Sequence, residues 1–489
     1  MKGELSMQIH LKNIGIVKES VITLNGLTVI TGKNNSGKTT VGKTLYSLLD
    51  AVSNLKEKVE SDRCHYIREQ LIRAESMLSL FFFLQIVPSA SEDHKTLLSG
   101  YPAICSLISH RWGGFLNVQL ETYVSDLITE LSRLDLHSIF KDPVVNESLP
   151  NLAKKAGIDD SNENILSKEK EKALALLSDL QIFLEKDKDL INYTRESINQ
   201  TLISEFDGQI QPVRIPGCRS KIKLSSDSSV FFDLAIAKDQ IIDDEELVFF
   251  RSPFSRVFLV DDPFILDDNV RSGKYRLDSP DGGTILNPGR ILTHAQSLRR
   301  ELQTSSQLTI LEQTRLNQLL KPVKERIDQV FPGTFDFSSQ DACYIQNGVK
   351  LKIANMATGS KMFSIIKMLL EKGKLDDSTM LILDEPEAHL HPMWQNHFAE
   401  IIALLVKELN VNVLLTTHSS NFMLALDAYM RKHQITDKAN FYQTEFLPDG
   451  MVQYQCVNDN MNVIYQDFLQ YMSDVKMLRS QYMSPTDHT

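Results

Sequence analysis

Apolar residues recur in two rhythms along this 489-residue chain. Met7–Lys12 alternates apolar and polar side chains and Val21–Leu24 is short and largely apolar, so both predict strands. Leu27–Thr31 predicts a compact apolar strand running into a glycine-rich turn, and from Val41 the period becomes helical, with Leu45, Leu48 and Leu49 on one face. From Ala51 to Thr201 the periodicity is mostly helical. Tyr66–Leu84 and Ser167–Glu185 are rich in Leu and Glu, and Pro88, Pro143 and Pro150 divide the region into several helices. Asp159–Lys172 reads as a solvated helix face or loop. Strand character returns at Gly208–Arg214, Lys221–Leu224, Val230–Ala237 and Arg256–Val260, followed by loops over Asp261–Gly289. Ile291–Gln329 is helical and stops before Pro332-Gly333; strands follow near Tyr344 and over Val349–Ile353. After a turn at Gly359 comes a helix with Phe363, Ile366 and Leu370 inward. Met380–Leu383 has four consecutive apolar residues, as central parallel strands do. A helix after Pro392 places Trp394, Phe398, Ile401 and Leu405 on one face, and Val411–Thr417 is a strand ending at His418. No internal repeat is present.

Composition narrows the class. Lys and Arg number 52 against 63 Asp and Glu, a net charge of −11, so any nucleic-acid contact must be local. Apolar (42%) and charged (24%) fractions suit a soluble globular protein with a sizeable core. Cys64, Cys105, Cys218, Cys343 and Cys456 are scattered singly, without zinc-ligand spacing, which points to a reducing, cytoplasmic setting. The longest apolar run, Leu78–Val87, is too short to span a bilayer, and the N-terminus lacks the order of a signal peptide, so no membrane contact is expected.

Chemistry concentrates at four places. Gly32-Lys33-Asn34-Asn35-Ser36-Gly37-Lys38-Thr39 matches the phosphate-loop spacing between a predicted strand and a predicted helix. Its glycines let consecutive N–H groups, those of Asn34, Asn35, Ser36 and Thr40 among them, face phosphate oxygens at a helix N-terminus. Lys38 would bridge the β- and γ-phosphates of ATP and Thr39 would offer its hydroxyl to Mg²⁺. Leu381-Ile382-Leu383-Asp384-Glu385-Pro386-Glu387 projects two carboxylates from the end of a buried strand: Asp384 to hold Mg²⁺ through water, Glu385 to polarise the attacking water. Thr416-Thr417-His418-Ser419 ends the next strand and puts His418 within reach of the γ-phosphate. Asn355-Met356-Ala357-Thr358-Gly359-Ser360-Lys361 opens a helix and offers a second anion-binding turn.

In their order along the chain (phosphate loop, helical insertion, the turn at Asn355–Lys361, acidic strand, histidine) the four elements resemble the ATP-binding-cassette ATPases, in particular the soluble branch near RecF, SMC and OLD-type proteins. The resemblance covers roughly residues 7–50 and 340–425, with weaker matches at 205–262. It implies an α/β ATPase head, a mixed sheet with an antiparallel lobe, and a largely helical insertion. The expected divisions are 1–50 (first part of the head), 51–201 (helical insertion), 202–289 (antiparallel strands and loops), 290–335 (second helical arm), 336–450 (second part of the head) and 451–489 (a partly helical tail). It further implies a head-to-tail dimer in which Gly359, Ser360 and Lys361 contact the partner's ATP. Ala357 and Thr358 depart from the family's signature serine and first glycine, and the Mg²⁺-contacting glutamine has only Gln85 as a candidate. Glu387-Ala388-His389-Leu390-His391-Pro392 is similar to the dimer-contact loop of that branch, which makes His389 and His391 packing and interface residues rather than a metal pair. The stretch after His418 is short for a nuclease domain as well as the head's last elements, so an ATPase without its own nuclease is expected. Such ATPases resemble subunits of antiphage defence systems such as Septu and PARIS, where the ATPase oligomer controls a separate effector, often a nuclease. Two rivals stand beside this reading. One is a RecF-like DNA-repair ATPase that clamps DNA through Arg290, Arg299, Arg300 and Arg315; the other is a structural oligomer that uses ATP as glue.

Overall fold

Strands that alternate and strands that are apolar throughout end up in different halves of one sheet. In the computed structural model the described residues are 7–53, scattered positions between 55 and 77, 116–133, 163–185, 190–242, 252–267, 293–303, 310–336 and 343–482. The chain divides into two units: Met1–Leu55 with Ile191–Thr284 and Ile291–Thr489, and Lys56–Leu190 with Ile285–Arg290.

The first unit holds an 11-stranded sheet among the described residues. Its strands are β1 (Met7–Ile14), β2 (Val17–Leu24), β3 (Leu27–Thr31), β4 (Ser220–Ser226), β5 (Val230–Ala237), β6 (Gln240–Ile241), β7 (Arg256–Val260), β11 (Thr379–Asp384), β12 (Asn412–Thr417), β13 (Ala439–Phe446) and β14 (Val452–Cys456). The order is β6-β5-β4-β1-β2-β14-β13-β3-β12-β11-β7. β6, β5, β4, β1 and β2 run antiparallel one to the next, β2 joins β14 in parallel, and β1 alternates buried and more exposed positions. β13, β3, β12, β11 and β7 run parallel, and β3 is buried at every residue. A strand covered by helices on both faces has no solvent side, which is why its sequence shows no alternation.

Both faces of the parallel half are covered. Leu27 and Val29 of β3, Leu381 and Leu383 of β11, and Val413 and Leu415 of β12 join one core. Ile30, Ile382 and Leu414, one residue out of phase, join the other. The second core is closed by α1 (Lys38–Val52) and α4 (Leu190–Glu205), the first by α5 (His294–Gln303), α6 (Ile310–Val330), α7 (Thr358–Glu371), α8 (Pro392–Leu409), α9 (Ser420–Lys432) and the start of α10 (Asn462–Tyr482). A small sheet of β8 (Thr334–Asp336), β9 (Cys343–Gln346) and β10 (Val349–Lys352) lies in this unit. In the second unit α2 (Leu116–Arg133) and α3 (Glu163–Glu185) pack together, burying Val124, Leu127, Leu131, Ala173, Leu177 and Leu180.

Four sequence expectations need correction. Gly208–Arg214 is not a strand. Asp207 and Gly208 adopt positive φ (51° and 76°), and the segment finds its hydrogen bonds elsewhere, Gly15 N–H donating to the Ile210 carbonyl (2.8 Å) and Gln211 N–H to the Asp239 carboxylate (2.7 Å). Residues 290–335, expected as an arm, include α5 and α6, whose Leu298, Leu302, Leu320, Val323 and Ile327 are buried in the first core. α4 is likewise part of the sheet unit, through Ile198 and Leu202. The expected tail at 451–489 begins with β14, which pairs with β13 and β2. Leu78–Val87, Gln85, Pro88, Pro143, Pro150, Cys64, Cys105, Arg290, much of Tyr66–Leu84 and the loop stretch from 268 to 289 lie outside the described residues. No described helix is long and apolar enough to cross a membrane.

Candidate functional site

Strand order decides which side chains meet. β3, β12 and β11 are neighbours, with Thr31 beside Thr417 and Thr416 beside Asp384. Three segments far apart in sequence therefore leave the same end of the sheet: the phosphate loop after β3, His418 after β12, and Asp384 and Glu385 at the end of β11. His418 comes from the middle strand and so stands between the other two. Ligand sites of parallel sheets form at this carboxyl end, where loops diverge and helices begin.

Positive φ at Gly32 (156°), Asn35 (59°) and Gly37 (72°) curls the chain back on itself. A side chain at Gly37 would collide with Ile16, so the residue is tied to glycine twice, by conformation and by space. The Ser36 hydroxyl, fully buried, donates to the Lys33 carbonyl (2.7 Å) and holds the loop closed. Asn34 and Asn35 are exposed at its tip, and the Thr40 N–H donates to the Gly37 carbonyl (3.0 Å). No side chain caps the N-terminus of α1, so its first-turn donors and the positive end of its dipole face the loop.

Lys38 is only 4% exposed. Burial pulls its pKa below the ordinary lysine value, and the charges of Glu385, Asp384 and Glu387 oppose the shift. Its ammonium donates to the Lys33 carbonyl (3.0 Å) and sits 3.5 Å from His418 Nδ1. The opposite ring nitrogen, Nε2, is 2.6 Å from Glu385 Oε1. A neutral imidazole satisfies both contacts, accepting from Lys38 at Nδ1 and donating from Nε2 to the Glu385 carboxylate. Thr39 Oγ1 donates to Asp384 Oδ2 (2.7 Å), and the Thr416 hydroxyl donates to Asp384 Oδ1. Glu385 sits at positive φ (48°), with its N–H donated to Thr416 of the neighbouring strand (3.1 Å to the carbonyl). Sequence reasoning missed Thr416: the threonine pair before His418 was visible, but its bond to Asp384 depends on register between strands.

These residues fit a nucleotide with its metal. The loop offers uncapped amides and a buried ammonium for phosphates, and the hydroxyl–carboxylate pair of Thr39 and Asp384 is a hard oxygen donor set of the kind Mg²⁺ takes. Among the described residues there is no cluster of three or more His, Cys, Asp or Glu able to hold a metal alone.

The second turn is built differently. Gly359 lies against the acidic loop, where an added Cβ would come within 2.8 Å of the His389 carbonyl. Lys361 does not face outward. Its ammonium, 2% exposed, pairs with Asp267 (2.6 Å), donates to the Ala354 carbonyl (3.2 Å) and lies 5.1 Å from the centre of the Phe264 ring. The expectation that it contacts a partner's ATP is thereby corrected: a buried lysine with a carboxylate and a carbonyl to satisfy has no free reach. Gly359 and Ser360 remain partly exposed. A cleft of about 420 Å³ opens here, lined by Asp261, Phe264, Gly359, Asp384, Glu385 and His389 among others. His389 meets the Phe264 ring edge-on (6.1 Å), and His391 Nδ1 accepts from the Met393 N–H (3.3 Å) at the start of α8. Arg299 donates to the Ile265 carbonyl (3.3 Å), Arg300 is engaged within the fold, and the Arg315 side chain lies outside what is described.

A His–carboxylate triad joins the end of α4, the exit of β7 and the start of α5. His294 Nδ1 is 2.7 Å from Glu205 and Nε2 is 3.0 Å from Asp261, at the exit of β7. Burial alone would lower the histidine pKa, but the two carboxylates outweigh it and raise it to about 9. The ring also packs edge-on against Tyr46 of α1 (5.9 Å).

The chain shares partial similarity with known proteins. The chain is 28% identical over 159 residues to the ABC transporter ATP-binding protein ARB1 of Saccharomyces cerevisiae, covering 30% of this chain and 24% of that protein. The chain thus spans about a quarter of the curated relative it matches. Among solved structures, the SMC head domain from Thermotoga maritima aligns over 93% of this chain and 99% of its own, at 10% identity and a TM-score of 0.31. The Smc head domain with a coiled coil and joint from Pyrococcus yayanosii aligns over 94% and 99%, at 10% identity and a TM-score of 0.32. Residues 286–423, which carry Gly359, Asp384, Glu385 and His418, match the family model of an AAA ATPase domain.

Proposed function

We propose that this protein binds and hydrolyses ATP at the carboxyl ends of β3, β12 and β11. One observation carries the reading: Lys38 and Thr39 of the phosphate loop touch His418 and Asp384, from two other strands. The amides of residues 32–40 and the Lys38 ammonium bind the triphosphate, Thr39 and Asp384 hold Mg²⁺, and the bound ion supplies charge neutralisation on the phosphate oxygens. Glu385 accepts a proton from the attacking water, and His418 orients Glu385 through its Nε2–H while facing the phosphates between it and Lys38.

Phosphate release by the purified chain with Mg²⁺ and ATP is the test. Glu385→Gln keeps the site's shape and removes the base, so nucleotide binding persists while turnover falls about a hundredfold or more. Unchanged turnover in that variant overturns the assignment.

Two copies closing head to tail over nucleotide, with Gly359 and Ser360 at the seam, extend the same reading, and so does control of a separate effector protein in antiphage defence. Both rest on the order of the motifs. Glu385→Gln should shift to a larger species in size-exclusion chromatography when ATP is added; a species unchanged by ATP argues against the dimer.

A further inference from the structure

Glu387 has no part in the reading above, yet it is the most enclosed carboxylate of the acidic loop, 4% exposed. One of its oxygens, Oε1, accepts from three consecutive residues: the Thr417 hydroxyl, the His418 N–H (3.1 Å) and the Ser419 N–H (3.3 Å). Oε2 is buried without a hydrogen-bond partner. Burial pushes the carboxyl pKa up, and the hydrogen bonds from Thr417, His418 and Ser419 pull against it. A carboxylate this enclosed is costly to keep, and a leucine would fill the space without an unpaired oxygen.

Its position gives it a use. β12 ends at Thr417 and α9 begins at Ser420, with Ser419 as its N-cap, the hydroxyl accepting from the Phe422 N–H (3.1 Å). His418 is the single residue between the end of the strand and the cap of the helix. We infer that Glu387 is a positioning residue for His418: by gathering the donors on both sides of the bend onto one oxygen, it fixes the His418 backbone so that the ring reaches Lys38 with one nitrogen and Glu385 with the other. The same loop supplies Glu385 two residues earlier, so acid, histidine and their support move as one body. The Ser419 hydroxyl and the Glu387 carbonyl both engage Gln395 of α8 (3.0 and 3.5 Å), which ties the bend to a buried helix. Catalytic geometry tolerates little displacement, and a shift of about 1 Å can reduce rate about a hundredfold.

This inference rests on the proposed ATP hydrolysis, and a double-mutant cycle separates the two. Steady-state phosphate release is measured for the wild type, Glu387→Ala, His418→Ala and the double variant, with nucleotide affinity measured alongside. Glu387→Ala is expected to lower kcat about tenfold or more with KM for ATP unchanged. In the double variant the loss should be no greater than in His418→Ala alone, because a residue that acts through another has nothing left to position. Glu387→Gln, which keeps a carbonyl acceptor, should retain turnover within about threefold. Thr417→Val, a milder change should Glu387→Ala fail to fold, should lower kcat by a smaller factor that also vanishes without His418. Additive losses, a wild-type rate in Glu387→Ala, or a rise in KM alone overturns the positioning role and leaves the ATPase reading intact. A wild-type protein that releases no phosphate overturns both.

Discussion

Two helix starts in this molecule look alike in sequence and do different work. Both α1 and α7 follow a glycine-containing turn, both lack a side-chain cap, and both place a lysine in the first turn. At α1 the turn is coiled by residues at positive φ, and Lys38 meets a histidine and faces two carboxylates at the open edge of the sheet. At α7 the glycine is needed for close approach to the His389 carbonyl, and Lys361 is bonded inward to Asp267 and Ala354. A lysine in the first turn of a helix is therefore not by itself an anion site. Its counter-ions decide whether the charge is available to a ligand or already spent on the fold.

Substitutions can break this contrast. The largest effect is expected from Lys38→Ala, which should reduce phosphate release about a hundred- to a thousandfold while the folded state survives; a normal rate would remove the distinction between the two lysines. Lys361→Ala should act the other way round. It strands Asp267 and the Ala354 carbonyl, so denaturant unfolding should show a loss of about 2–3 kcal/mol, with the ATP KM of the folded protein unchanged. Loss of turnover at full stability would return Lys361 to the nucleotide.

pH sharpens the comparison further, because α7 is held by lysines and the α1 side by His294. The folded pKa of His294, about 9, lies above the unfolded value of 6.5. Its contribution to stability is thus fully present below about pH 6.5 and is lost as pH rises through 9. Thermal melts from pH 6.5 to 9.5 should show the wild type losing on the order of 2 kcal/mol relative to His294→Gln. A constant difference would mean that the triad is not an imidazolium between two carboxylates. The smallest effect is expected for Gly359→Ala, about 1–2 kcal/mol in denaturant, since the new methyl must displace the His389 carbonyl.

Much of this was legible beforehand, and for identifiable reasons. The four-residue apolar run Met380–Leu383 announced a doubly covered sheet because burial on both faces leaves no solvent side that would call for polar residues. The curled loop between β3 and α1 was legible because a loop that turns its backbone amides toward one point needs glycine at set spacing to allow the curl. Gly208–Arg214 was misread because Ile210 and Pro212 are buried by a pinned turn while Val213 stays exposed, and an apolar–polar pattern alone does not distinguish a turn from a strand.

What sequence could not contain is the order of strands. Residues 31, 384 and 417 become neighbours only because β12 inserts between β3 and β11. That insertion alone sets His418 between Lys38 and Glu385, bonds Thr416 to Asp384, and brings Glu387 beneath the histidine. Packing between distant segments also turned Lys361 inward, since its partner Asp267 lies 94 residues away in the chain. The residue types and local spacing determined which groups could do chemistry. Which of them stand within hydrogen-bonding distance, and which are consumed by the fold, was decided by long-range packing, because a hydrogen bond depends on position in space and not on distance along the chain.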